Sequence, residues 1–330
     1  MSKIVISFMS QKGEAKNPNL LFGILNFKTQ KLEPIRLDHL SNTNNFCHGM
    51  GMCYNDDYFC AAIIPIRERL TSNLLTINLK TGKKKISYLY FSKAIHGITS
   101  LDKNRLLVNA TQNDCVVELC LKEGWVVTED LYHHFLAKEY WEEIRRRCCD
   151  LRQDQIIYRG PTYIDDNYHN NSVFKYKNSI FATMFRGLPY MQGVDGGGAM
   201  FDLRSGRTVI DGLSQPHTAF IDSRENFCCC NSSAFTFIVK DKFIVELDGY
   251  TRGIYEDQER GGYWVGISAY RKYNAKLSKW IEKYRGDQPL KGARIQFIDY
   301  EGNIGDTIEL AQYGKEIFDL LPFREGGWNK

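Results

Sequence analysis

The chain has 330 residues, of which 43% are hydrophobic and 13% aromatic, with 43 Lys and Arg against 39 Asp and Glu. This composition is too apolar and aromatic for a disordered chain. The net charge of +4 gives no reason to expect nucleic acid or an acidic membrane as a partner, and no run approaches the roughly 18 apolar residues of a membrane helix.

The first predicted strands are Ile4–Phe8 and Leu20–Phe27. The first of them is too short for the apolar core of a signal peptide, so we expect no leader. A short turn then recurs between pairs of strand-like runs. Its copies are Asn26–Gln30, Asn78–Gly82, Cys120–Gly124, Asp202–Gly206, Val239–Lys242 and Asp299–Gly302. Repeats of about 40–50 residues are typical of propeller blades, so we predict a single all-β domain over residues 1–330, a six-bladed β-propeller.

A second feature follows most of these turns: a basic side chain, an apolar run, a polar turn and another apolar run. The basic side chain is His48, His96, His169 or His217 in four repeats and Arg252 in a fifth. The chain has seven histidines, so four at one repeat position are hard to reach by chance. The apolar run matches the innermost strand of a blade, which lines the central channel. We therefore expect these five side chains at one mouth of that channel.

The two ends of the chain are predicted to share the sixth blade. Glu316–Phe323 resembles an inner strand with no strands after it, while the N-terminal strands have no inner strand before them. Joining them closes the ring. Two segments interrupt the strand pattern, near 130–150 and 275–285, and their apolar spacing predicts helices inserted into loops of the propeller.

The histidine repeat suggests a metal site. Neutral imidazole is a common ligand of Zn, Fe, Mn and Ni, and imidazoles on rigid strands leave positions open for water or substrate. We predict a divalent metal held by His48, His96, His169 and His217 in a lyase, epimerase or hydrolase that acts on a small polar or sugar-like molecule. A repeat can also keep a residue type for packing, and no ligating carboxylate recurs at this position.

A metal-free site is the second interpretation. Histidine beside arginine can act as acid and base on an anionic substrate, with Arg252 or Arg271 holding a carboxylate. Asn231 is a third catalytic candidate. Further polar candidates end the second strands, where hydrogen bonding between blades would also explain them: Asn109, Thr111, Gln112, Ser232 and Ser268.

Several segments resemble a bacterial family known only as a domain of unknown function with a six-bladed propeller-like fold. They are Leu213–His217, Asn231–Ser232, Gly249–Ile254, Val265–Ser268 with Arg271, and Glu316–Asp319. The resemblance implies the fold but no activity. By analogy of fold, a histidine ring is similar to the sites of metallo-propellers such as oligogalacturonate lyase and virginiamycin B lyase.

Two non-catalytic hypotheses remain open beside the enzyme: an interaction scaffold, and a sensor that binds a small molecule without a metal. The oligomeric state is not predicted. The ten cysteines include adjacent ones, at 148–149 and 228–230, and none has the CxxC spacing of a zinc site. We expect reduced thiols in a cytoplasmic protein.

Overall fold

The computed structural model describes residues 3–9, 20–37, 46–65, 72–89, 92, 94–135, 168–185, 197–268 and 292–329. These residues form 24 strands, arranged as six antiparallel blades of four strands around a central channel. The predicted six-bladed β-propeller is therefore confirmed. No described segment forms a helix long and apolar enough to cross a membrane.

Five blades follow chain order, each from its innermost to its outermost strand. Blade 2 contains β4 (Phe46–Asn55), β5 (Tyr58–Pro65), β6 (Ser72–Asn78) and β7 (Lys84–Leu89). Blade 3 contains β8 (Ile95–Asp102), β9 (Arg105–Ala110), β10 (Cys115–Lys122) and β11 (Trp125–His134). Blade 4 contains β12 (Ser172–Tyr176), β13 (Ser179–Met184), β14 (Gly198–Asp202) and β15 (Thr208–Leu213). Blade 5 contains β16 (Pro216–Ile221), β17 (Phe227–Asn231), β18 (Thr236–Val239) and β19 (Phe243–Glu246). Blade 6 contains β20 (Tyr250–Asp257), β21 (Gly262–Ser268), β22 (Arg294–Asp299) and β23 (Ile304–Glu309).

Blade 1 joins the two ends of the chain. Its inner strand is β24 (Glu316–Pro322), and β1 (Lys3–Met9), β2 (Phe22–Asn26) and β3 (Lys31–Pro34) follow outward. β24 pairs antiparallel with β1 from Ile4 opposite Pro322 to Met9 opposite Glu316. The predicted closure is confirmed, and it gives β24 the partner that an inner strand needs.

Apolar side chains fill the spaces between neighbouring blades. β21 is buried along its whole length because each of its faces packs on a different core cluster. Trp264 lies with Ile6 and Leu320 of blade 1, whereas Tyr263 and Val265 lie with the apolar residues of blade 5. This two-sided burial explains why second strands appear in the sequence as continuous apolar runs.

Glycine lets the inner strands approach each other closely. A Cβ on Gly97 would lie 2.8 Å from the Cα of Ser172 in the next blade. Gly253 has a φ of +74°, and its Cβ would lie 3.0 Å from the Cα of Asp319. Both glycines directly follow a side chain of the predicted ring, His96 or Arg252, so the ring residue and the close approach occur together.

The two faces of the propeller differ in their connections. At one face, here called the tight-turn face, all hairpins have two to five residues, and the recurring turns lie there. At the other, the crossover face, the chain passes from one blade to the next and from the second to the third strand within a blade. The longest connections of these two kinds are 135–171, between blades 3 and 4, and 269–293, between β21 and β22 of blade 6. Every inner strand starts at the crossover face. Asp130–His134 belong to β11, so the predicted helix near 130–150 is wrong at its start; 136–150 and 275–285 lie outside the described residues.

Candidate site in the central channel

Three of the four repeat histidines meet near the channel axis. The ring of His96 lies 5.4 Å from that of His169 and 6.2 Å from that of His217, between centroids. Phe318 of β24 contacts two of these rings, at 5.4 Å from His96 and 6.4 Å from His217. His48 is in β4, opposite Met9 of β1. Side chains from the starts of different inner strands thus converge at the crossover end of the channel.

His217 is held as a neutral imidazole. Its Nε2 lies 3.1 Å from Nη2 of Arg252, and because guanidinium groups only donate hydrogen bonds, Nε2 is the acceptor. The proton therefore sits on Nδ1, which donates to the carbonyl of Gln215 at 2.9 Å. Burial and the charge of Arg252 lower the pKa of His217 well below its ordinary value.

Arg252 connects three blades from a buried position. Besides His217 of blade 5, it contacts the Sδ of Met9 at 3.2 Å and Oε2 of buried Glu316 at 3.7 Å, both in blade 1. Its guanidinium lies 4.7 Å from the ring of Tyr250 and 5.0 Å from that of Phe318. Since Glu316 supplies a nearby negative charge, the cation is compensated within the protein.

His96 is oriented by an asparagine that sequence reasoning missed. Its Nδ1 lies 2.6 Å from Oδ1 of Asn171, whose Nδ2 donates to the carbonyl of Pro216 at 3.0 Å. That second bond fixes which end of the amide is oxygen, so Nδ1 of His96 carries a proton, and in the neutral imidazole Nε2 is then the acceptor. Asn171 lies two residues after His169, and because the other repeats have no asparagine at the equivalent position, the sequence contains no sign of its role.

His169 has a strained backbone and a stacked ring. Its φ is +46°, and its N–H donates to Oδ1 of Asp114 at 2.9 Å. The ring stacks on Phe185 at 4.4 Å between centroids. These contacts fix the histidine against blades 3 and 4.

A cavity of about 420 Å³ extends from these histidines along the inner strands. His96, Asn171, His217 and Phe318 line its inner end, and Glu256, Gln258 and Pro322 line it towards the tight-turn face; residues from all six inner strands contribute. This volume lies in the range of small-molecule sites.

Asp319 is an acid in the wall of this cavity and was also missed as a site residue. It lies in β24, and its carboxylate accepts hydrogen bonds from the N–H groups of Met52 at 3.0 Å and Leu320 at 2.9 Å. Burial raises the pKa of Asp319 to about 7. The resemblance segment Glu316–Asp319 contained it, but a single aspartate among apolar residues carries no spacing signal.

The other sequence candidates lie between blades or outside the described residues. Asn231 accepts a hydrogen bond from the N–H of Ser214 at 2.5 Å. Asn109 and Thr111 both donate to the carbonyl of Asn170, at 2.6 and 2.7 Å. Arg271 lies outside the described residues. Asn231, Asn109 and Thr111 thus serve the contacts between blades that were the alternative explanation for them.

The metal prediction is not confirmed. Within the ranges that the structure describes, no group of three or more His, Cys, Asp or Glu side chains is arranged to hold a metal ion. One imidazole is directed away from a shared ion, because Nε2 of His217 faces the cationic Arg252. Since the described residues do not direct three donors at one point, they do not fit a divalent metal.

Comparison with known proteins identifies the fold. No family model and no curated protein matches the chain, so the resemblance to the family of unknown function stays a prediction. A protein of unknown function from Bacteroides caccae is similar in structure, with a TM-score of 0.53, 11% identity and coverage of 98% of this chain and 99% of the other. The periplasmic gluconolactonase PpgL of Pseudomonas aeruginosa has a TM-score of 0.52 and 10% identity, over 98% and 100%. A chain of a nidogen/laminin complex has a TM-score of 0.57 and 8% identity, over 96% and 97%. At these identities the likeness shows the propeller fold alone.

Proposed function

We propose that the central channel is the active site of a hydrolase that opens a small cyclic ester, a lactone. The observation that carries this proposal is the convergence of His96, His217 and Asp319 on one cavity of about 420 Å³. Proton acceptors of this kind, held on rigid strands, suit acid–base chemistry.

Asp319 is the general base in this proposal. Its carboxylate takes a proton from water as the water oxygen bonds to the ester carbonyl carbon. The ring C–O bond then breaks, and the leaving oxygen takes the proton back from Asp319, so that one water is added and one hydroxy acid is formed. A carboxyl group that titrates near neutrality suits both proton transfers.

His96 and His217 position the reactants. His96 presents Nε2 as an acceptor because Asn171 holds the proton on Nδ1, so it can bind a hydroxyl group or the attacking water. His217 stays neutral beside Arg252, which keeps this end of the channel from gaining charge near neutral pH.

A specific comparison favours hydrolysis over elimination or epimerisation. A gluconolactonase has the same propeller fold along the full length of both chains. This likeness of fold supports lactone chemistry in the proposal and assigns no residues.

The proposal is tested by following acid release from δ-valerolactone and glucono-δ-lactone at constant pH. We expect turnover by the wild type, with kcat/KM rising through about pH 7 as Asp319 ionises, and a loss of about 10²–10⁴ in kcat for Asp319→Asn. Asp241→Asn, which removes an exposed carboxylate from a tight turn, is the matched control. Wild-type rates equal to the uncatalysed rate, or full activity of Asp319→Asn, would contradict it.

A further inference from the structure

The wall of the channel changes from polar to apolar two residues below the ring. On five blades, the residue nearest the inner end is followed two positions later by an apolar residue that lines the cavity. The inner-end residues are His96, Asn171, His217, Arg252 and Phe318, and the apolar residues are, in the same order, Ile98, Val173, Ala219, Ile254 and Leu320. We call the five apolar residues the belt. Two residues of strand correspond to about 7 Å, so the belt encircles the channel one layer nearer the tight-turn face than His96 and His217.

Below the belt the wall continues to the tight-turn face. Thr99, Phe220, Leu321 and Pro322 line this outer part together with the polar Glu256 and Gln258, and all six are at least partly accessible. At the opposite end, the rings of His96, His217 and Phe318 contact each other across the axis, and Arg252 covers Phe318. The described residues thus place the apolar belt between the polar inner end of the channel and a mouth of mixed polarity at the tight-turn face.

This layering discriminates between ligands. A polyhydroxylated sugar face beside the belt would lose water hydrogen bonds and gain none from it, which is costly. A hydrocarbon chain there would gain about four-fold in affinity for each methylene removed from water.

We propose that the substrate is an alkyl-substituted lactone, with its ester ring among His96, His217 and Asp319 and its alkyl arm along the belt, entering from the tight-turn face. Hydrolysis of this lactone rests on the proposed function, whereas its binding through the alkyl arm does not. From His96 to Thr99 the strand advances about 10 Å, which sets the length of arm that the wall can cover.

Calorimetry of the full chain with a series of δ-lactones tests the arm directly. The probes are δ-hexalactone, δ-octalactone, δ-decalactone and δ-dodecalactone, whose arms are methyl, propyl, pentyl and heptyl, with glucono-δ-lactone for comparison. We expect affinity to rise about four-fold per methylene until the arm exceeds the wall, and glucono-δ-lactone to bind more weakly than δ-octalactone. Hydrolysis of each probe is followed in parallel.

A conservative pair of variants locates the arm. Val173→Thr keeps volume but puts a hydroxyl group in the belt, and we expect it to weaken δ-decalactone binding about five-fold or more while leaving δ-hexalactone unchanged. Val116→Thr is the matched control, since Val116 belongs to the same core cluster as Val173 but does not line the cavity. Ala219→Ser provides a second belt variant should Val173→Thr fail to fold.

The outcomes separate this inference from the proposed function. Affinity that rises with arm length without hydrolysis supports the ligand class and overturns the hydrolase. Hydrolysis that is indifferent to the arm, or fastest for glucono-δ-lactone, overturns the ligand class and leaves the hydrolase standing. No binding and no hydrolysis of any probe overturns both.

Discussion

Single side chains in the channel are fixed in particular protonation states by their neighbours. Arg252 can only donate, so Nε2 of His217 must accept. Asn171 is anchored through Pro216, so Nδ1 of His96 must donate. Asp319 is supported by two backbone N–H groups, yet burial still raises its pKa. The chemistry of the site therefore follows from contacts between blades rather than from the histidines alone.

The neutral state of His217 predicts acid sensitivity. The unfolded chain takes up a proton near pH 6.5, whereas the folded pKa is lower, so stability falls as pH falls below about 6.5. His217→Gln should flatten this slope, and His133→Gln, in the outermost strand β11, should not. Denaturant unfolding between pH 8 and pH 5 checks this prediction; equal slopes in the wild type and His217→Gln would contradict it.

The raised pKa of Asp319 predicts the opposite trend, a loss of stability as the pH rises from about 4 to about 7. Its pKa rises from about 3.9 in the unfolded chain to about 7 when folded, so folding favours the protonated acid. Its stabilising contribution is complete below about pH 4 and is lost as pH rises to about 7. Asp319→Asn should remove this loss and be relatively more stable than the wild type at pH 8. A parallel pH dependence of both proteins would show that the carboxyl group is not buried.

Asn171 is predicted to set the tautomer of His96. In ¹⁵N-labelled protein, the imidazole nitrogens of His96 should report a protonated Nδ1 and an unprotonated Nε2. Asn171→Asp places a carboxylate at the same point and should raise the pKa of His96, whereas Asn171→Leu should release the tautomer preference. An unchanged titration of His96 in Asn171→Asp would exclude this contact.

At the scale of elements, the ring depends on the pairing of β24 with β1. Leu320 is 3% exposed in the core formed with Ile4 and Ile6, whereas Ile304 on the outermost strand β23 is 56% exposed. We expect Leu320→Ala to lower the free energy of unfolding by about 2–5 kcal/mol and Ile304→Ala by about 0.5 kcal/mol or less. Similar losses for the two variants would mean that the closure contributes little.

The elements were predictable to different degrees. Turns such as Asn78–Gly82 repeat once per blade, so the blades could be counted from the sequence. The closure could be inferred because the N-terminal strands lack an inner strand, which Glu316–Phe323 supplies. Residues 130–134 were misassigned because Tyr132, His133 and His134 fit either period, and only the pairing of β11 with β10 decides for a strand. Asn171 and Asp319 belong to no sequence repeat. Their roles depend on partners in other blades, and a pattern along the sequence does not show such partners.

For the whole molecule, closure of the ring creates a channel with chemistry at one end and an apolar belt next to it. Equivalent positions of the inner strands lie at the same depth in the channel. Because of this, histidines that repeat in the sequence lie close together in space, and repeated apolar residues form the belt. The tight turns occupy the face where the cavity continues. The alignment of the inner strands thus supports both proposals: the cluster at the inner end supports the reaction, and the belt supports the ligand class.

The most direct measurement is a crystal structure with the hydroxy acid formed from δ-decalactone. We expect this product inside the channel, with its carboxylate within hydrogen-bond distance of His96 or Asp319 and its alkyl chain along Ile98, Val173 and Leu320. A product bound outside the channel, or reversed so that its alkyl chain lies among the histidines, would contradict the account.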